Sequence, residues 1–214
     1  MGQKEEEKMI KLKELIELKS MVYTETIKPK HKERLSRPTP NFHEGIILPK
    51  ATPPDNDSAR TLKEIKYLAS IKKNEYFAES MDKVGDVFKP YSKELGIHDY
   101  VKSIIKESTK FIMKLKYDYN RPRPYQIAEF YNIDLNGVEL NSMKTPSYPS
   151  GHAIQGYLIA EILCKHNPSN SEVYRQVGED IAHSRIIAKA HYPSDKEYGK
   201  KVADVLFKVL KWKI

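Results

Sequence analysis

The chain has 214 residues, a formal net charge of +8, 31% charged and 39% hydrophobic residues, and one cysteine, Cys164. This is enough for one sizeable domain and short for two, and the composition is that of a globular protein. No run approaches the ~18 uninterrupted apolar residues of a membrane span, and no intrachain disulfide can form.

The positive excess is spread along the chain: residues 1–40 hold 10 Lys and Arg against 7 Glu. A dispersed charge of this kind suits a small anionic ligand as well as nucleic acid, and no nucleic-acid motif accompanies it. The N-terminus runs from Lys4 into Glu5, Glu6 and Glu7, unlike the basic start and apolar core of an export signal. The expectation is an intracellular protein without integral membrane association.

Residues 4–22 place Met9, Ile10, Leu12, Leu15, Ile16 and Leu18 at largely helical spacing between charges, which predicts an amphipathic helix. Six prolines between 29 and 57 predict an extended or irregular segment. Asn56-Asp57-Ser58 can cap a helix over about 59–71. Further helices are predicted at about 75–88 and 98–117, the second ended by Arg121-Pro122-Arg123-Pro124. Residues 125–148 read as a long connection with a turn at Asn136-Gly137. Helices follow at about 151–165, 171–189 and 195–212, and no convincing strand appears. The reading is an all-α, single-domain protein over 41–214, preceded by an N-terminal extension, 1–40.

Three segments carry the chemistry. Lys116 lies near a helix end and Arg123 in the proline-bounded turn after it. In Pro149-Ser150-Gly151-His152, Ser150 can cap the next helix. Gly151 permits close approach of a ligand to the backbone, and the free N–H groups of a helix start favour an anion. In the third, Ser184-Arg185 is followed by His191 and, four residues on, Asp195. A carboxylate at that spacing can hold one ring nitrogen and leave the other to attack an electrophile. Each segment alone reads as an ordinary cap, dipole complement or surface pair. Together they supply three cations, helix-start amides and two histidines, the inventory for holding and transferring a phosphoryl group.

The order Lys-x6-Arg-Pro, Pro-Ser-Gly-His, Ser-Arg-x5-His-x3-Asp resembles the three-part signature of the type 2 phosphatidic acid phosphatase (PAP2) and vanadium haloperoxidase superfamily. The proline-rich lead-in Leu48-Pro49 to Arg60 is similar to that of the bacterial class A nonspecific acid phosphatases, and the likeness runs from about residue 46 to the C-terminus. Residues 1–40 have no counterpart in it. Those relatives are exported, so the absence of an export signal here is a departure.

The resemblance implies a helical bundle of the PAP2/haloperoxidase type and a phosphoric monoester hydrolase of the acid phosphatase kind. Lys116, Arg123, Ser150, Gly151 and Arg185 would hold the phosphate of a small, water-soluble ester. His191 would be the nucleophile, Asp195 its orienting carboxylate and His152 the general acid and base. No metal or other cofactor is implied for that activity, and vanadate would inhibit it. The same residues could instead hold vanadate as the cofactor of a haloperoxidase. An anion- or nucleic-acid-binding protein without catalysis is the more distant alternative. No nucleic-acid partner is expected, and a homo-oligomer is compatible with the sequence.

Overall fold

The computed structural model describes residues 3–212, with side chains described from residue 11 onward. Eleven α-helices run in the order α1 (Gln3–Ser20), α2 (Pro29–Leu35), α3 (Ala59–Ser70), α4 (Glu75–Ser80), α5 (Val84–Val87), α6 (Lys89–Glu94), α7 (His98–Tyr119), α8 (Pro124–Phe130), α9 (Gly151–His166), α10 (Ser171–Ile187) and α11 (Pro193–Lys208). Among the described residues the only β pairing is a single antiparallel bridge between Phe42 and Leu210, so the protein is an all-α, single-domain bundle. No described helix is long and apolar enough to cross a membrane.

The organising element is α9, buried nearly all round: Ala153, Ile154, Leu158, Ile159, Ile162 and Leu163 are each closed to solvent. A helix apolar on every side must be sheathed by others, and α7, α10 and α11 supply the sheath. Small residues set the closest approach. A Cβ at Gly156 would lie 2.9 Å from the Gly178 carbonyl oxygen on α10, and one at Gly199 of α11 would lie 2.9 Å from the Ala153 Cβ. Glycine at these crossings lets backbone meet backbone, which fixes where the ends of α9, α10 and α11 stand.

Several helices begin and end as the sequence predicts. The Ser58 side chain accepts from Thr61 N at the start of α3, and Ser150 accepts from Ala153 N at the start of α9. Asn120, in the left-handed region at φ 47°, ends α7. Three expectations need correction. The segment predicted irregular over 29–57 contains α2, and the connection predicted over 125–148 contains α8, because Pro29 and Pro124 stand at helix starts, where proline lacks only a donor that would go unused. The helix predicted over 75–88 is broken at Met81–Lys83 into α4 and α5, and Asp82 stands in the break. Part of α1 keeps its apolar face in solvent: Leu12, Leu15 and Ile16 are exposed and Leu18 is buried. Met9 and Ile10, predicted on that face, lie outside the described side chains.

The N-terminal segment is tied down at several points. Tyr23 N donates to Asn120 O at 2.9 Å and Asn120 Nδ2 to Thr24 O at 2.7 Å. Buried His31 on α2 meets the Tyr117 hydroxyl on α7 through Nδ1 at 2.5 Å. Asn41 N donates to Glu107 Oε2 at 2.9 Å, while Lys211 N donates to Asn41 O at 2.8 Å and His43 N to Val209 O at 2.9 Å. These last bonds clasp the segment after α2 to the end of the chain.

Candidate active site

The three sequence segments meet where the end of α7, the start of α8, the start of α9 and the turn between α10 and α11 converge. The deepest group is Asp195, fully buried in the first turn of α11. Its Oδ2 accepts from His191 Nδ1 at 2.9 Å, from Ser147 Oγ at 2.5 Å and from Tyr192 N at 3.1 Å. Its Oδ1 accepts from Arg121 Nη1 at 2.7 Å. Burial alone would push the carboxyl upward, but Arg121 and His191 outweigh it and hold Asp195 well below the usual carboxylate range. An ionised acceptor at Nδ1 makes that nitrogen the donor, so the lone pair of His191 is on Nε2.

His191 Nε2 lies 3.1 Å from Arg123 Nη1, which donates toward it. Burial, then the Arg123 charge, keeps the imidazole well below its ordinary pKa, despite the opposing pull of Asp195. The imidazole is thereby biased toward its neutral form. Arg123 is buried and oriented by main-chain acceptors: Nε donates to Thr145 O at 2.7 Å and Nη1 to Ala190 O at 2.7 Å. Burial lowers it to about 10, with Asp195 opposing. Lys116 is likewise buried, its Nζ donating to Pro146 O at 2.5 Å and Ser147 O at 3.3 Å. Burial and the nearby Arg123 charge hold it well below a normal lysine.

The second histidine stands on α9. His152 Nε2 donates to Asp82 O at 2.8 Å and lies 3.3 Å from Asp82 Oδ1. That same carboxylate oxygen accepts from Arg185 Nη1 at 2.6 Å and from Ser142 Oγ at 2.8 Å. The hydrogen bond with His152 leads in keeping Asp82 well below the carboxylate range, against the cost of burial. His152 itself is lowered by burial and by Arg185, and Asp82 opposes both.

A cavity of about 250 Å³ opens beside these groups, and its walls include Lys116, Gly151, His152 and His191. Arg123 reaches it through His191, and Arg185 through Asp82 and His152. The Ser150 hydroxyl serves the α9 cap, at 3.3 Å from Ala153 N. Gly151 admits no side chain easily, since a Cβ there would press on Ile112 Cγ2 at 3.1 Å, with Lys116 Cε at 3.9 Å. All the sequence-predicted residues thus gather around one cavity and its immediate backing. Among the described residues no group of three or more His, Cys, Asp or Glu is placed to hold a metal ion.

Sequence reasoning missed three partners. Arg121 was legible only as part of the tetrapeptide that ends α7, yet its guanidinium binds Asp195, contacts Glu64 at 3.3 Å and lies 3.7 Å from the centre of the Tyr192 ring. Glu64, from α3, accepts from Ser194 N and Ser194 Oγ, each at 2.8 Å. Asp82 is more than a hundred residues from Arg185 and belongs to no motif.

The chain is similar in sequence to known proteins over the same region. The chain is 33% identical over 90 residues to a non-specific acid phosphatase of Salmonella typhimurium, covering 42% of this chain and 35% of that one. It is 28% identical over 152 residues to a non-specific acid phosphatase of Providencia stuartii, covering 64% and 60%. An acid phosphatase of Zymomonas mobilis is 25% identical over 181 residues, covering 75% and 67%. The chain thus spans 35% and 60% of the length of the first two relatives. Its fold is similar to that of a bacterial vanadium-dependent iodoperoxidase, with a TM-score of 0.53 and 15% identity over 78% of this chain and 52% of that one. The family model of the PAP2 superfamily matches residues 101–209, from α7 through the end of α11 and so across all three segments of the site: the chain belongs to the PAP2 superfamily.

Proposed function

We propose that the protein is a metal-independent phosphatase that hydrolyses phosphate monoesters through a phosphohistidine at His191. The observation that carries this reading is the buried Asp195–His191 pair, which puts the His191 lone pair on Nε2, beside Arg123 and at the wall of the cavity. The similarity to bacterial acid phosphatases supports it.

In the first step His191 Nε2 forms a bond to phosphorus as the bond to the ester oxygen breaks. The leaving oxygen takes a proton from His152. Asp195 stabilises the positive charge that develops on the His191 ring. In the second step His152, now neutral, takes a proton from water, the hydroxide oxygen bonds to phosphorus, and the phosphorus–nitrogen bond breaks to restore His191. Lys116, Arg123, Arg185 and the amides at the start of α9 offset the negative charge on the transferring group from preset positions. The Asp82 oxygen that bridges Arg185, Ser142 and His152 marks a position where a phosphate oxygen would find the same three donors. Substrate and Asp82 would then compete for them.

The test is p-nitrophenyl phosphate hydrolysis with and without EDTA, and with vanadate as inhibitor. EDTA-resistant, vanadate-sensitive turnover is expected. His191→Ala should lose ~10³-fold or more in kcat and no longer trap acid-labile, radiolabelled phosphate, while vanadate still binds. Full activity in that variant would remove His191 as nucleophile. Halide oxidation that needs vanadate and peroxide, without ester hydrolysis, would replace the phosphatase reading.

A further inference from the structure

We propose that Lys30 and Arg34 on α2, with Lys144, form a second anion subsite at the mouth of the cavity, selecting compact phosphate esters that carry a second phosphate or a carboxylate. The proposal rests on the phosphatase reading of the inner site and adds the substrate class.

The walls of the cavity include Lys30, His31 and Arg34 from α2, and Lys144 from the segment before α9, and they contain no Asp or Glu. Lys30 and Arg34 are four residues apart, so they share a helix face, where like charges repel. Neither makes an ion pair among the described residues. The one acid of α2, Glu33, lies instead 3.7 Å from Arg37. The Lys144 ammonium has only the neutral Asn141 Oδ1, at 3.0 Å. Three cations thus flank a pocket that already holds Lys116, with no acid among its walls. An anion beyond the scissile phosphate would satisfy all three.

The segment is positioned well enough to discriminate. His31 is locked to Tyr117, Arg37 donates to Thr109 Oγ1 at 3.2 Å, and the Tyr23 hydroxyl donates to Met143 O at 3.3 Å, beside Lys144. His31 is lowered to about 4, by burial first and then by Arg34, Lys30, Lys28 and Lys116. The α2 cations and the inner lysine therefore act within one positive field. At about 250 Å³ the cavity falls below the ~300–1,000 Å³ of pockets for drug-sized ligands. The two anionic groups of its ligand must accordingly be joined by a short linker.

Three matched probes test this on the full chain: ethyl phosphate, ethylene glycol bisphosphate and phosphoglycolate. The wild-type protein should favour the two esters that carry a second anionic group over ethyl phosphate by about tenfold or more in kcat/KM, with the margin shrinking as salt is added. In a Lys30→Ala, Arg34→Ala double variant the preference should fall to about twofold or less, which for the bisphosphate is the statistical advantage of two equivalent phosphates. Alanine favours the helix, and circular dichroism verifies that the variant folds. No preference in the wild type, or one that survives in the double variant, overturns the subsite. If none of the three esters is hydrolysed, the phosphatase reading fails on its own, and calorimetry decides the subsite. Tighter binding of the bisphosphate than of ethyl phosphate, lost in the double variant, upholds it, and equal binding overturns it. Cosedimentation with phosphatidic acid vesicles that depends on Lys30 and Arg34, without any bisphosphate preference, would assign these cations to a lipid headgroup and also overturn the proposal.

Discussion

A carboxylate needs one oxygen to orient an imidazole, and Asp195 uses both. Oδ2 serves His191, Ser147 and the Tyr192 amide, and Oδ1 binds Arg121. An isolated buried carboxylate would protonate and lose its grip on the proton of Nδ1, so Arg121, together with the hydrogen bonds from His191 and Ser147, keeps it a charged acceptor. Asp82 acts on the other histidine. Its charge raises the His152 pKa while Arg185 and burial lower it. In the proposed reaction the free enzyme must have His191 neutral and His152 protonated. Both groups are depressed, which sets a bell-shaped kcat/KM profile on the acidic side, with His152 titration as its alkaline limb. Asp82→Asn removes the charge that helps His152 keep its proton, so that limb should move to lower pH. The same change removes a competitor for Arg185, so inorganic phosphate should inhibit more tightly. An unmoved limb with unmoved phosphate inhibition would make Asp82 a structural ligand of Arg185 alone. The motif residues were legible because the chemistry needs them at short, fixed spacings. Asp82 and Glu64 were not, because the fold brings them in from α3 and from the break after α4, and no local pattern announces such a contact.

At the scale of elements, the sequence revealed the long helices and concealed the short ones. The apolar spacing of α7 and the Ser58 and Ser150 caps can be read without coordinates, since they depend on neighbours within one turn. α2 and α8 have seven residues each, too few for a periodic signal, and their opening prolines point equally to a turn. Glycine inside α9 and α10 was silent as well. Gly156 and Gly178 look like modest helix penalties until the two backbones are seen in contact. Gly156→Ala should therefore lower stability by ~1–3 kcal/mol through overpacking, even though alanine is the better helix former. A urea midpoint that rises would show that the crossing yields readily.

For the whole molecule, burying histidines beside cations makes stability depend on pH. His31, His152 and His191 are all lowered in the folded protein, whereas in the unfolded chain each titrates near ~6.5. As pH falls through that value the unfolded chain takes up protons that the folded chain refuses. Stability then declines by up to about 1.4 kcal/mol per pH unit for each such histidine. The carboxylates Asp82 and Asp195 are lowered instead, so their contribution persists until more acidic pH. The thermal midpoint should fall between pH 7 and pH 5 in calorimetry. His31→Gln should flatten that fall, since it removes one of the three groups, and an unchanged slope would mean that His31 protonates freely in the folded state. The acidic range that suits the proposed chemistry is thus the range in which the fold loses margin.

The clasp between Asn41–His43 and Val209–Lys211 has a bearing on heredity of function. It anchors the far end of the segment that carries Lys30 and Arg34, and it touches none of the groups proposed to react with phosphorus. Changes in that clasp would loosen the mouth and leave the inner site intact. On the proposed function, a lineage could in this way alter the esters it accepts through substitutions around residues 209–211, with its reaction chemistry inherited unchanged.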